Sequence, residues 1–244
     1  MEITAATELP ARRENIELHT ADGEILVGEL ALPKHAEPIA TLITLHPLPT
    51  AGGYMDSHIL RKAANRLPEL AQLGVLRFNT RGTESPRGRS TGSFGDGESE
   101  RLDLAAAVEF CRSRGLKNLW LVGWSFGTEV ALKHGRPLNP AGLILLSPPL
   151  RRTSEAELLA WAKSEIPIHA LVPELDDYLR PEEASQKLKP LSSAKVHAFD
   201  GQKHLWIGEP ATRIVLNAIV NIVRPGFGEL PVSAAADAAS KLPE

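Results

Sequence analysis

The chain contains two serines in the same G-x-S-x-G setting, and either one could act as a nucleophile. Ser90 lies in GRSTG at positions 88–92, and Ser125 lies in GWSFG at positions 123–127. A serine hydroxyl becomes reactive only on a sharp turn that exposes it, beside a base that removes its proton. The surrounding sequence therefore has to decide between the two.

The context of Ser125 is a strand, a tight turn and a helix. The apolar run LWLV at 119–122 precedes the serine, and the helix-forming segment TEVALKH at 128–134 follows it. Gly123 and Gly127 provide the small residues that such a turn requires, because a Cβ atom at either position would collide with the chain. We predict that Ser125 is the nucleophile.

Ser90 lies in a stretch that is rich in glycine, serine and proline. The sequence around it, RGTESPRGRSTGSFGDGE, has neither a strand before the serine nor a helix after it. It also lacks the Lys-Ser/Thr ending of a phosphate-binding loop. We therefore expect Ser90 to be a solvated loop serine.

A nucleophilic serine needs a base and an acid. Of the eight histidines, only His46 and His204 fall just past the C-terminal end of a strand-like run, and His204 follows the last of these runs. The run at 168–172 leads into PELDDY, where Asp176 and Asp177 each offer a carboxylate. The sequence predicts His204 as the base and leaves both aspartates open as the acid.

The tetrahedral intermediate of acyl transfer needs backbone N–H donors for its oxyanion. The segment LHPLP at 45–49 follows the first long apolar run, and its two prolines have no N–H, so Leu48 is the nearby donor. The second predicted donor is Phe126, directly after the nucleophile. We expect His46 to hold this turn by hydrogen bonds and not to move protons. The alternative is that HPLP is only a rigid surface turn.

Short apolar runs alternate with segments of helical period, which indicates a mostly parallel sheet with helices on both faces. An antiparallel hairpin around Asp22-Gly23 is expected at the sheet edge. We expect one domain over 1–225, with a loose arm at 1–14 and a flexible tail without a core face at 226–244. The strand-like runs of the sheet are 39–45, 75–78, 119–122, 143–146, 168–172 and 196–199.

The bulk properties exclude several classes of function. The net charge of −3 gives no electrostatic case for nucleic acid or an anionic membrane as a partner. No apolar run approaches the ~18 residues of a membrane span, and the N-terminus lacks the pattern of a signal peptide. A single cysteine, Cys111, allows no internal disulfide. We expect a cytoplasmic protein without cofactor or metal, and the oligomeric state is left open.

Five segments together resemble a known family: LHPLPTAGGYMDSH, LRFNTRGTESPRG, LVGWSFGTEVAL, LVPELDDYLRP and DGQKHLWIG. They are similar, in the same order, to motifs of the small bacterial α/β-hydrolase-superfamily proteins, from about residue 39 to 224. The resemblance implies an α/β-hydrolase fold with Ser125 as nucleophile, Asp176 as acid and His204 as base. Pro173 stands where the family usually has glycine, which keeps Asp177 as a second candidate. The loop at 83–97 is longer than the usual turn.

The resemblance and the site residues predict a serine hydrolase that cleaves a small-molecule carboxylic ester or thioester through an acyl-enzyme. About 20 residues separate Ser147 from the run at 168–172, too few for a helical cap domain. An acyltransferase would use the same residues. A non-catalytic small-molecule-binding protein on a hydrolase fold is the third possibility, but such proteins commonly lose a member of the set that is complete here.

Overall fold

A mixed sheet of eight strands forms the centre of the computed structural model, which describes residues 2–234. The strands of this sheet are β1 Arg12–His19, β2 Ile25–Leu32, β3 Ala40–Leu45, β4 Leu73–Phe78, β7 Leu119–Trp124, β8 Gly142–Leu146, β9 Ile168–Pro173 and β10 Ala194–Phe199. The short strands β5 Glu84–Ser85 and β6 Gly88–Arg89 form a separate hairpin. The helices are α1 His58–Ala71, α2 Glu100–Ser113, α3 Phe126–His134, α4 Glu155–Leu159, α5 Pro181–Leu188 and α6 Glu209–Val223.

The strand order is β1-β2-β4-β3-β7-β8-β9-β10. Strand β2 runs antiparallel to both of its neighbours, and all pairs from β4 to β10 are parallel. The central strands β3, β4, β7 and β8 are buried along their whole length, since helices cover both faces of the sheet. The predicted hairpin is β1–β2, and it lies at the sheet edge as expected.

The helices form two layers, one on each face of the sheet, and each layer packs on its own apolar cluster. Helices α1 and α6 pack on one face through residues such as Ile59 and Val215, whereas α2 and α3 pack on the other through Leu104 and Val130. The connection from β8 to β9 contains only the five-residue helix α4 as regular structure. The fold is therefore an α/β-hydrolase fold without a cap domain, as the sequence predicted. Within residues 2–234, no helix has the length and apolar character needed to cross a membrane.

The expectation of a loose N-terminal arm at 1–14 requires correction. Strand β1 begins at Arg12, so the last three residues of the expected arm belong to the sheet. Leu9 is 2% exposed, and its N–H donates to the carbonyl oxygen of Asn65 in α1 at 2.8 Å. Ile3 donates to the carbonyl oxygen of Val232 at 2.9 Å. The arm is thus attached to the domain through contacts that are distant in sequence.

The expectation that residues 226–244 lack a core face is also wrong for the part that the structure describes. Leu230 is 4% exposed in the cluster under α1 and α6, and its N–H donates to Oδ1 of Asn217 at 2.8 Å. The N–H of Gly228 donates to Oδ1 of Asn221 at 3.0 Å. Two asparagines of α6 therefore hold this segment by its backbone. Positions 235–244 lie outside the described residues.

Candidate active site

Ser125 occupies the turn between β7 and α3 in a backbone conformation that is rare for a residue with a side chain. Its φ is 51° and its ψ is −114°, and its N–H donates to the carbonyl oxygen of Leu146 at 2.9 Å. Positive φ is sterically unfavourable for serine, so the surrounding chain must hold the turn. The strand and helix on either side are those predicted from the sequence. They direct the hydroxyl outward at the C-terminal edge of the sheet.

Gly123 and Gly127 permit this turn because the chain passes too close for a Cβ atom. A Cβ at Gly123 would lie 2.4 Å from the carbonyl oxygen of Gly127. A Cβ at Gly127 would lie 2.2 Å from the carbonyl oxygen of Leu45, at the end of β3. Gly123 therefore permits the tight turn itself, and Gly127 permits the first turn of α3 to pack directly against β3.

The structure brings Ser125, His204 and Asp176 into one hydrogen-bonded row. Nε2 of His204 lies 2.9 Å from Oγ of Ser125, and Nδ1 of His204 lies 2.9 Å from Oδ2 of Asp176. A neutral imidazole with its proton on Nδ1 donates to the carboxylate and accepts from the hydroxyl. In this arrangement the ring can take the hydroxyl proton while the carboxylate fixes its tautomer.

Asp176 and Asp177 differ sharply in their surroundings. Asp176 is 3% exposed, and its Oδ1 accepts hydrogen bonds from the N–H groups of Tyr178 at 2.8 Å and Leu179 at 3.3 Å. Both carboxylate oxygens of Asp176 thus have donors. Asp177 is exposed to solvent. The geometry favours Asp176 over Asp177 as the partner of His204.

The loop that carries His204 is fixed by a residue that the sequence analysis did not identify as part of the site. Oγ of Ser147, directly after β8, donates to the carbonyl oxygen of His204 at 3.0 Å and accepts from Nε1 of Trp206 at 2.7 Å. Trp124 and Trp206 are 2% and 0% exposed, and Nε1 of Trp124 donates to the carbonyl oxygen of His204 at 3.4 Å, so both tryptophans help to hold this loop. The one sequence signal for Ser147 is its position at the C-terminal end of a buried strand next to β7.

One face of the His204 ring is covered by Tyr178. The two ring centroids are 4.5 Å apart with an interplanar angle of 56°, and the guanidinium of Arg151 lies 4.7 Å from the Tyr178 centroid. Leu205 and Ile207 are apolar side chains next to the histidine in sequence, and they are 50% and 79% exposed. The His204 side of the site therefore presents apolar and aromatic surface to solvent.

His46 is buried beneath the turn that contains Leu48. Its Nδ1 lies 2.7 Å from the carbonyl oxygen of Pro47, and its Nε2 accepts from the N–H of Thr80 at 3.1 Å. The neutral Nδ1–H tautomer satisfies both bonds. Burial lowers the pKa of His46 to about 4, against an ordinary value of 6.5. His46 therefore stays neutral at neutral pH and ties the turn to the chain after β4.

Leu48 and Phe126 lie at matching positions beyond two paired strands. Leu45 of β3 is in register with Gly123 of β7. Leu48 lies three residues after Leu45, and Phe126 lies three residues after Gly123. Among residues 2–234, neither the Leu48 N–H nor the Phe126 N–H has a hydrogen-bond acceptor. Two free N–H groups at adjacent strand ends are suited to a developing oxyanion.

Ser90 is not the solvated loop serine that was expected. It is fully buried, its Oγ donates to the carbonyl oxygen of Asn79 at 2.8 Å, and the same Oγ accepts from the N–H of Val27 at 3.0 Å. The backbone uses both the donor and the acceptor capacity of this hydroxyl, and within residues 2–234 no histidine is hydrogen-bonded to it. The G-x-S-x-G match at 88–92 is therefore a structural element.

Comparison with solved structures places the fold among serine hydrolases. An α/β serine hydrolase without a lid from Xanthomonas campestris is 28% identical, with a TM-score of 0.70 over 88% of this chain and 95% of that chain. An α/β serine hydrolase homologue from Coxiella burnetii is 24% identical, with a TM-score of 0.74 over 88% and 99%. An esterase from Pyrococcus furiosus shares the fold at 17% identity, with a TM-score of 0.70 over 87% and 90%.

No protein-family model matches the chain, and no curated protein matches it significantly. The fold and its structural neighbours nevertheless define the class. The chain is a protein of the α/β-hydrolase superfamily, among the members that lack a cap domain. Its neighbours in that superfamily are serine hydrolases and esterases.

Proposed function

We propose that the protein is a serine hydrolase that cleaves a carboxylic ester or thioester through an acyl-enzyme on Ser125. The observation that carries this proposal is the row of two 2.9 Å contacts from Ser125 through His204 to Asp176. The strained turn at Ser125 and the two free N–H groups beside it provide further support. The same geometry argues against a binding protein without catalytic activity, which has no use for a strained serine beside a base.

The reaction follows from the positions of the side chains. Oγ of Ser125 attacks the ester carbonyl carbon while Nε2 of His204 takes the hydroxyl proton, and Asp176 stabilises the imidazolium through Nδ1–H. The oxyanion accepts hydrogen bonds from the N–H groups of Leu48 and Phe126. The alcohol or thiol leaves with the proton from His204. Water then attacks the acyl-enzyme, with His204 as base again, and releases the acid and free Ser125.

The proposal is tested by steady-state hydrolysis of p-nitrophenyl acetate. Removing the nucleophile of such a set costs on the order of 10⁴–10⁶ in kcat, so Ser125→Ala should lose nearly all turnover. Both proteins should unfold at the same urea concentration, within error, which separates loss of chemistry from loss of fold. If Ser125→Ala keeps the wild-type rate, or the wild type has none, the proposal is wrong.

Hydrolysis and acyl transfer are separated by the fate of the acyl group. The site has no cap domain, so water should reach the acyl-enzyme and free acid should be the main product. The assay is repeated with increasing 1-butanol as a competing acceptor, and acid and butyl ester are quantified. A preference for butyl ester at low butanol concentration would make the protein an acyltransferase instead.

A further inference from the structure

The 83–97 loop, which is longer than the usual turn of the family, is firmly attached at its first half. Strand β2 pairs with β4 only from Gly28 onward, which leaves the N–H groups of Ile25 and Val27 without a partner in β4. Oγ1 of Thr91 accepts from Ile25 at 2.8 Å, and Oγ of Ser90 accepts from Val27 at 3.0 Å. The GRSTG segment thus takes the place of a missing strand.

The second half of the loop is attached to α2 and α3. The buried carboxylate of Glu100 accepts from the N–H groups of Gly95 at 2.8 Å and Gly97 at 2.9 Å. Nε2 of His134 lies 2.7 Å from the carbonyl oxygen of Gly97. Hydrogen bonds thus hold the loop on both sides of Phe94, at 90–91 and at 95–97, and they set where this surface of the loop lies.

This surface forms one wall of a groove beside the candidate site. A cavity of about 420 Å³ lies between the 49–54 turn, which follows Leu48, and the 83–97 loop. This volume is near the lower end of the range for small-molecule sites. The charged side chains of Glu84 and Arg89 line the cavity, and they form an ion pair with each other at 3.6 Å. Tyr54 and Phe94 are the aromatic residues that line it, and the Phe94 ring packs against that of Phe126 with centroids 5.4 Å apart. The groove thus adjoins the residues that carry both predicted oxyanion donors.

The strand order determines which part of a substrate faces this groove. Ser125 follows β7, and the groove is built from the segments after β3 and β4, on one side of β7. His204 follows β10, on the other side. The leaving alcohol must lie near Nε2 of His204, because that atom supplies its proton. The groove on the opposite side of β7 is then the surface left for the acyl group on the same carbonyl carbon.

We propose that the groove between the 49–54 turn and the 83–97 loop binds the acyl group of the substrate, with Phe94 as the residue that sets acyl-chain preference. The favoured substrates are esters of short to medium apolar acids, because an aromatic wall and a small volume favour an apolar chain of limited length. This inference rests on the proposed hydrolase activity.

The test is the ratio of kcat/KM for p-nitrophenyl hexanoate to that for p-nitrophenyl acetate. Phe94→Ala should lower this ratio about tenfold, mainly through KM for the hexanoate, since a few apolar contacts are worth a factor of this size. Phe94→Leu keeps an apolar wall and should lower the ratio less. An intermediate ratio for Phe94→Leu tests the inference even if Phe94→Ala folds poorly. Unfolding midpoints in urea are measured for both variants.

The matched control is Phe110→Ala, at another partly buried phenylalanine, in α2, whose ring faces the guanidinium of Arg114 at 5.3 Å. It should leave the hexanoate-to-acetate ratio unchanged. The inference is overturned if Phe94→Ala also leaves the ratio unchanged, or if Phe110→Ala lowers it equally. It is also overturned if Phe94→Ala changes the preference between ethyl and hexyl acetate instead, because the groove would then hold the alcohol.

A binding measurement separates the groove from the reaction. Ser125→Ala protein is titrated with sodium hexanoate, with and without Phe94→Ala, by calorimetry. We expect a Kd about tenfold weaker in the double variant. If the wild type hydrolyses no ester but this difference in Kd persists, the proposed reaction is wrong and the groove stands. If esters are hydrolysed and Phe94→Ala alters neither Kd nor the ratio, the groove is wrong and the reaction stands.

Discussion

Nε2 of His204 lies 2.9 Å from Oγ of Ser125, although 79 residues separate the two in sequence. Each residue follows the C-terminal end of a parallel strand, Ser125 after β7 and His204 after β10, and β8 and β9 lie between them. Parallel strands end at the same edge of a sheet, which is where open α/β folds place their sites. The contact is thus a direct consequence of the sheet topology.

The two neighbouring aspartates give a matched pair of variants. Asp176→Asn should lower kcat for p-nitrophenyl acetate by about 10⁴, because an amide cannot hold the Nδ1–H tautomer of His204 as the carboxylate does. Asp177→Asn should leave kcat near that of the wild type, since its side chain is exposed. A larger loss in the Asp177 variant would reverse the assignment.

Ser90→Ala should damage stability and spare the chemistry. The substitution leaves the N–H of Val27 and the carbonyl oxygen of Asn79 without their buried partner. Urea denaturation should show a loss of about 1–3 kcal/mol in the free energy of unfolding. The exposed Ser192 offers the control, and Ser192→Ala should change stability by less than about 0.5 kcal/mol. An unchanged stability for Ser90→Ala would show that these bonds contribute nothing.

Burial of neutral His46 predicts a loss of stability in acid. Its pKa falls from 6.5 to about 4 in the folded protein, so the unfolded chain binds the proton at higher pH than the folded one. The contribution of neutral His46 to the free energy of unfolding is fully present above pH 6.5. It is lost as the pH falls towards 4, and the total loss is about 3 kcal/mol.

The comparison with His46→Gln isolates this contribution. Burial also lowers the pKa of His169 to about 4, but His169 is present in both proteins and its effect cancels. The free energy of unfolding is measured by urea denaturation between pH 7 and 4.5. As the pH falls, the free energy of unfolding should decrease more steeply in the wild type than in His46→Gln. Equal slopes would mean that His46 is not buried in its neutral form.

Gly127→Ala should disturb the site through the backbone. The added Cβ would lie 2.2 Å from the carbonyl oxygen of Leu45, so α3 must shift and move the Phe126 N–H with it. A misplacement near 1 Å costs about 10² in rate, and kcat should fall by this order. Gly23→Ala is the control, because Gly23 has a φ of 90° in the hairpin turn with no atom near the new Cβ. It should lower stability and leave kcat unchanged.

The strands of the eight-stranded sheet, the four helices that pack on it and the turn at Ser125 were predictable because their signals are local. An apolar run, a glycine pair and a helix-forming segment lie within about fifteen residues around Ser125. The same holds for the order of acid and base, since each follows a strand that is recognisable by itself. The sequence could not decide whether Asp176 or Asp177 is the acid, because it contains two adjacent carboxylates. Only the backbone donors of Tyr178 and Leu179 distinguish them.

The burial of Ser90 could not be predicted, because it depends on where two other strands separate. Glycine, serine and proline around it indicate a loop, and it is a loop. The hydroxyl is buried because β4 does not extend along the first three residues of β2, and GRSTG fills this edge, which no local pattern records. The sequence did not predict the attachment of Leu9 to Asn65, or that of Leu230 to Asn217, for the same reason. Each depends on contacts with another segment of the chain, which local sequence patterns do not reveal.

The assignment of Ser125 as an activated nucleophile is tested most directly by covalent labelling with a fluorophosphonate, followed by peptide mapping of the labelled protein. The reagent reacts with a serine only where a base and an oxyanion site activate it. We expect a single label on the peptide that contains Ser125, and no label in Ser125→Ala or His204→Ala. A label on Ser90, or an unlabelled wild-type protein, would contradict it.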